Sequence, residues 1–253
     1  MNTTYCTAVN PASCLPKLYD YTVERALLDM AEICGDGGKG LPLWRQQVQY
    51  AVGHTLNDYY SLAPEVRRQT PIQFILERRW PPQSRCFLSH MHYLKVKNTI
   101  CDELIRLVGG NHEEEIPFML YEQWHVPVPE LQMELSMIFQ LVWHSRRNGS
   151  GLKVQKFMVC GNEEVVLGFL HMANVFCRKA YGMPPVRVEI HFLMEGEKRS
   201  YEGDSFTLEA SLDYLRLLSC LNGESSNSSA DCAAEGDSRS RSGEDALSKH
   251  LLM

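Results

Sequence analysis

The sequence predicts an α+β fold: about four strands in a sheet with helices packed on it, a helical hairpin in front and a disordered tail behind. Three observations carry this prediction. Apolar residues recur at helical spacing in two early segments, strand-like and helix-like segments alternate from residue 70 to residue 220, and beyond Cys220 large apolar side chains become scarce. The corresponding division is an N-terminal extension over 1–19, one domain over 20–220 (hairpin 20–62, sheet-helix body 70–220) and a tail over 221–253.

Taken in order, Val23, Ala26, Leu27, Met30 and Ile33 mark a helix over Tyr21 to Cys34, stopped by the glycines of GDGGKG. That run lacks the preceding strand and the GK[ST] ending of a phosphate loop, so it reads as a turn. Val48, Ala51, Val52, Leu56 and Tyr59 mark a second helix from Trp44 to about Tyr60, and the two helices are expected to pack together. In PIQFILERRW the alternation of Ile72, Phe74 and Leu76 reads as a strand ended by Pro81-Pro82. CFLSHMHYLKV is ambiguous between strand and helix lead-in. NTICDELIRLV reads as a helix stopped at Gly109-Gly110, and HEEE as an exposed connection.

The stretch PFMLYEQWHVPVPELQMELSMIFQLVWHSRRNG reads as strand, proline-stiffened corner and helix. Phe118, Leu120, Trp124 and Val126 suggest a half-buried strand, with Pro127 and Pro129 confining its end to a sheet edge because proline donates nothing to a ladder. Leu131, Leu135, Ile138, Leu141 and Val142 then form a helical stripe. Glu130 and Glu134 lie near its start, and Arg146-Arg147 lie near its end before Asn148-Gly149. KVQKFMVC reads as a strand, EEVVLGFLHMANVFCRKAYG as a helix, PPVRVEIHFLME as the clearest strand and SFTLEASLDYLRLLSC as the closing helix. The tail NGESSNSSADCAAEGDSRSRSGED cannot offset its ordering entropy by burial, and its SRSRS run could accept phosphate.

Composition narrows the function classes. The net charge of -6, half of it in the tail, argues against a dedicated nucleic-acid binder. No apolar run approaches a membrane span, and the N-terminus lacks the pattern of a secretory signal. The nine cysteines are dispersed and contain no CxxC pair, which favours reduced thiols in the cytoplasm or nucleus over a disulfide framework.

Candidate chemistry is sparse. Cys86, His90, His92 and Cys101 combine thiols and imidazoles that could complete a zinc shell, and on a strand His90 and His92 would share a face, but the spacing matches no zinc motif. Cys160 with His144 or His171, or Cys177 alone, could supply a thiol nucleophile; both cysteines sit in apolar runs where burial is the ordinary reading. Glu113-Glu114-Glu115 reads as a solvated face, and Arg67-Arg68 and Arg78-Arg79 as exposed charges or partner contacts. Trp80 and Trp143 read as shape elements. Trp124 reads as a core anchor beside a binding backbone edge, with an exposed partner anchor as the alternative.

LYEQWHVPVPE followed by a long apolar segment and a basic, glycine-containing exit resembles the central stretch of HORMA-like domains of the autophagy-initiation scaffold type, and the N-terminal region of Atos-type proteins. The matching positions are Glu122 and Trp124, then Leu131 to Trp143, within about residues 70 to 160. The resemblance implies a noncatalytic domain that binds a peptide segment or a related domain through a sheet edge, with a helix over 131–143 running under the sheet. Two preceding helices and a further helix at 163–180 depart from that pattern.

The resulting expectation is a noncatalytic adaptor or scaffold without a cofactor, binding other proteins through Glu122, Trp124, Val126, Arg146 and Arg147. The alternatives are a metal- or thiol-dependent enzyme and a zinc-stabilised nucleic-acid-associated factor.

Overall fold

The computed structural model describes residues 15–33, 43–82, 86–109, 116–145 and 151–227, with the backbone alone for 29–33, 145 and 221–227. In chain order the elements are β1 (Lys17–Tyr19), α1 (Asp20–Ile33), α2 (Leu43–Ser61), α3 (Pro64–Gln69), α4 (Ile72–Arg79), α5 (His90–Gly109), β2 (Met119–Val128), a 3-10 turn (Pro129–Leu131), β3 (Met133–Ser145), β4 (Gly151–Met158), α6 (Glu163–Tyr181), β5 (Arg187–Phe192), β6 (Glu197–Glu202) and α7 (Leu208–Asn227). The fold is α+β, with six strands in one mixed sheet rather than about four. Among the described residues no helix is long and apolar enough to cross a membrane.

β3 organises the sheet. It pairs antiparallel with β2 along Met133–Val142, and on its other side first with β1 in parallel and then with β4 antiparallel. β4 continues into parallel β5, which pairs antiparallel with β6. Successive side chains of a strand point to opposite faces, and the sheet separates two cores accordingly. Val154 and Met158 join the core made with α1, α6 and α7, while Phe157 joins the core made with α2, α4 and α5.

The hairpin β2–β3 contributes to both cores. Leu135, Met137 and Phe139 enter the first, whereas Leu141 and Trp143 enter the second although they continue the same odd-numbered series. The side-chain parity therefore switches between Phe139 and Leu141. On β2 it switches opposite, at Tyr121, whose φ of 49° lies in the left-handed region. Tyr121 and Gln140 face each other in the register without pairing.

Several expectations fail for identifiable reasons. The segment expected to form a helix over 130–147 is strand β3. Met133, Leu135, Met137, Phe139, Leu141 and Trp143 also alternate with period two, and Gln132 in the left-handed region (φ 53°) closes a hairpin that satisfies that period. PIQFILERRW is helix α4, with Ile72 and Leu76 buried one turn apart and Phe74 65% exposed. α1 and α2 do not form a hairpin: α1 packs on α6 and α7, while α2 packs on α4 across the sheet. Gly168 permits the first contact, because a Cβ there would sit 2.8 Å from Leu27 Cδ1. The N-terminal extension is structured from Lys17, where β1 joins the sheet, and α7 continues through Asn227 into the segment read as tail. The rest of that tail, 228–253, lies outside the described residues.

Candidate interaction edge and the split in the sheet

The outer side of β2 is the longest strand edge that no strand covers among the described residues. The register fixes which main-chain groups it presents. The Glu134 N–H donates to Pro16 O (2.9 Å) and the Ile138 N–H donates to Asp20 Oδ2 (3.0 Å), so these β3 residues turn their peptide groups away from β2. Their partners across the hairpin are Pro127 and Gln123, and between them His125 faces Ser136. In an antiparallel pair such residues turn both N–H and C=O outward. Gln123 and His125 thus offer complete peptide groups at the edge, and Pro127 offers only a carbonyl.

Side chains on both faces of this stretch are open, since Glu122, Gln123, Trp124 and His125 are all exposed. Trp124 is 43% exposed, against 0% for Met137 opposite it, and its indole N–H donates to Glu122 Oε2 at 2.9 Å. The core role expected for Trp124 is therefore wrong: it shares a face with Val126 and lies opposite Met137, but β2 is an edge strand and the ring stays partly in water. Val126 is buried in the first core and anchors the strand, so that of the three β2 residues expected to bind, Glu122 and Trp124 are open at the edge. Arg146 and Arg147 lie outside the described residues. Nearby, burial first, with lesser contributions from Cys177 and Glu122, pushes the Tyr181 phenol up.

The opposite side of β3 contains a split. Pairing of β3 with β1 ends at Ser136 and pairing with β4 begins at Leu141, which leaves the intervening edge of β3 without a strand. Side chains supply the missing hydrogen bonds. Asp20 accepts from the Ile138 N–H, and Gln140 accepts from the Phe157 N–H (2.5 Å). From α2, Gln49 donates to Phe157 O (2.8 Å) and accepts from the Val159 N–H (2.9 Å).

Lys156 lies beside these groups, with its Nζ 2.7 Å from Glu24 Oε2 and 4.7 Å from the centre of the Phe169 ring. Burial opposes its charge, but Glu24 and Asp20 outweigh that and hold the ammonium above its ordinary range. Burial raises the Asp20 carboxyl, opposed by Lys156 and by the Ile138 and Tyr21 N–H groups. The split opens into a cleft of about 970 Å³ whose walls include Arg25, Arg45, Tyr50 and His54. The Tyr121 ring closes its floor against Gly53, where a Cβ would stand 3.1 Å from Tyr121 Cε1. Burial raises the Tyr121 phenol, whose oxygen has no protein partner.

No family model and no curated protein matches the chain.

The remaining candidate residues are dispersed. CFLSHMHYLKV leads into α5, so His90 and His92 stand two positions apart on a helix and point in different directions instead of sharing a strand face. The Cys86 thiol donates to Gln47 Oε1 at 3.2 Å, and the His92 ring packs edge-on against Trp44. Among the described residues no three His, Cys, Asp or Glu side chains gather to hold a metal ion. Cys160 packs against the second core, and burial raises its thiol. His171 lies in the first core, bonded through Nδ1 to Ser211, and His144 is exposed beside Phe118. Burial pushes the Cys177 thiol up to about 12. None of the thiol–imidazole pairs considered from sequence is brought together.

Sequence reasoning missed Asp20, Gln49, Gln140 and Lys156. The available signal was Lys156, a charge at an alternating position inside the apolar strand KVQKFMVC. A second missed network runs from the Trp143 indole N–H to Gln155 Oε1 (2.7 Å) and from Gln155 Nε2 to Glu189 Oε2 (2.8 Å).

Proposed function

We propose that this chain is a noncatalytic interaction module of the cytoplasm or nucleus whose β2 edge takes up an extended segment of another protein as an added strand. The observation that carries the reading is the outward pair of peptide groups at Gln123 and His125, flanked by the exposed indole of Trp124. Main-chain hydrogen bonds to an added strand supply affinity, and side-chain positions alternating along it supply selectivity. Trp124 offers a large, rigid surface of the kind that dominates binding energies, oriented by its bond to Glu122. Pro127 limits the ladder at one end and the left-handed Tyr121 limits it at the other, which suits a short segment.

The test is affinity copurification with the full chain, comparing wild type with Trp124→Ala and His125→Pro. The expected result is a partner retained by wild type and lost from both variants, with unchanged thermal unfolding. Partners that bind both variants as they bind wild type would place the interaction elsewhere.

A further inference from the structure

We infer that a second copy of this chain occupies the β2 edge when no partner does, pairing antiparallel about a two-fold axis at Trp124, so that self-association and partner binding compete. The inference rests on the edge reading above and adds the identity of one occupant.

The argument is one of register. The extended run available for pairing lies between Tyr121, whose φ of 49° interrupts it, and Pro127, which lacks an N–H. Within it Gln123 and His125 turn complete peptide groups outward. With the axis at Trp124, Gln123 of each copy faces His125 of the other, and both residues exchange N–H and C=O, giving four main-chain hydrogen bonds. Shifting the axis to Gln123 sets His125 against the left-handed Tyr121, and shifting it to His125 sets Gln123 against Pro127, which has no hydrogen to give. A register slip of one residue, which puts the axis between two residues, sets outward groups against inward ones and forms no ladder.

The same register arranges the side chains. The two Trp124 residues meet at a non-hydrogen-bonded position, where opposed side chains approach most closely and aromatic pairs are favourable. Gln123 faces His125 and Glu122 faces Val126, so no like charges stand opposite. Exposure of Glu122, Gln123, Trp124 and His125 on both faces of the strand leaves room for a neighbouring strand. The contact is isologous and closes at two copies, because each chain uses its single β2 edge.

Analytical ultracentrifugation of the full chain should show a reversible monomer–dimer equilibrium. His125→Pro should abolish the dimer without altering the monomer's unfolding, since the lost N–H points out of the sheet. Trp124→Cys should form, under mild oxidation, an intermolecular disulfide mapped by mass spectrometry to residue 124 in both chains, as the short separation of a non-hydrogen-bonded pair allows. A chain monomeric up to millimolar concentration would overturn the inference, as would a dimer indifferent to His125→Pro or cross-linked only through other cysteines. Partner capture that still depends on Trp124 in those cases would leave the edge reading intact, so the two fail separately.

Discussion

Gln140 engages Phe157 as a peptide group would: its Oε1 accepts the Phe157 N–H at 2.5 Å and its Nε2 approaches the Phe157 carbonyl at 3.5 Å. Where β3 and β4 part, one carboxamide side chain thus stands in for a missing stretch of strand. Gln140→Leu keeps the volume but strands a main-chain N–H inside the protein. The expected cost is about 1–3 kcal/mol, the penalty for an unsatisfied buried donor, read from the midpoint of urea unfolding. An unchanged midpoint would show that water repairs the split unaided.

Lys156 should prove costly to truncate. Lys156→Met removes the ammonium and leaves Asp20 and Glu24 facing an apolar neighbour. Breaking a buried pair is strongly destabilising, but Glu24 keeps 33% of its side chain in water and can rehydrate. The expected loss is therefore about 2 kcal/mol, below the usual range for a fully buried pair. Adding Glu24→Gln should recover part of it, and a double-mutant cycle measures the coupling.

Acid should destabilise the fold through His191. Burial drives its pKa from 6.5 down to about 4, with Glu189 opposing and Lys198, Arg106 and Lys153 assisting. The unfolded chain therefore binds the proton first as pH falls, and stability is lost between 6.5 and about 4. The loss should reach about 2–4 kcal/mol. Burial lowers the pKa of His171 as well, adding a loss of the same sign. Asp20, raised by burial, works in the opposite sense because the folded state takes up its proton more readily than the unfolded one. Both ring nitrogens of His191 lack hydrogen-bond partners and the ring stacks on Phe157, so His191→Phe should hold stability at neutral pH and flatten the acid slope in denaturation measured across this window.

Two residues of one hairpin should behave oppositely. Leu135 is fully buried, and Leu135→Ala should cost about 2–5 kcal/mol through lost contacts and the cavity left behind. Trp124→Ala, at an exposed edge, should alter stability by no more than about 1 kcal/mol. Equal effects in calorimetry would contradict the placement of Trp124 at the surface.

The sequence was most legible where one periodicity stood alone. α1, α2, α6 and α7, and the strands within KVQKFMVC and PPVRVEIHFLME, are present where expected because each carries an unbroken pattern. β3 carries two patterns at once, and long-range pairing with β1, β2 and β4 selects the strand. In α4 the alternation spans three apolar residues, too few to tell two periods apart. β6 has no apolar face to announce it, as EKRSYE is an edge that pairs with β5 alone. At the candidate edge, Pro127 correctly marked an exposed strand margin. The exposure of Trp124 was hidden because it depends on β2 lying at the edge of the sheet, which topology decides and local pattern does not. The split was hidden for a similar reason: Asp20, Gln49, Gln140 and Lys156 are distant in sequence, and only the folded topology brings them together.

The parity switch at Tyr121 and Gln140 means that one hairpin serves as the spine of both cores. Loosening α2 and α4 withdraws support from Leu141 and Trp143, and through the shared backbone from Phe139 and Leu135 on the other face. The two layers are therefore tied into a single cooperative unit, and damage to either is felt as loss of the whole. A fragment that keeps α6 and α7 but lacks the helices of the opposite face would expose half of its own hairpin. It would be degraded or aggregate instead of surviving as a smaller version of the domain.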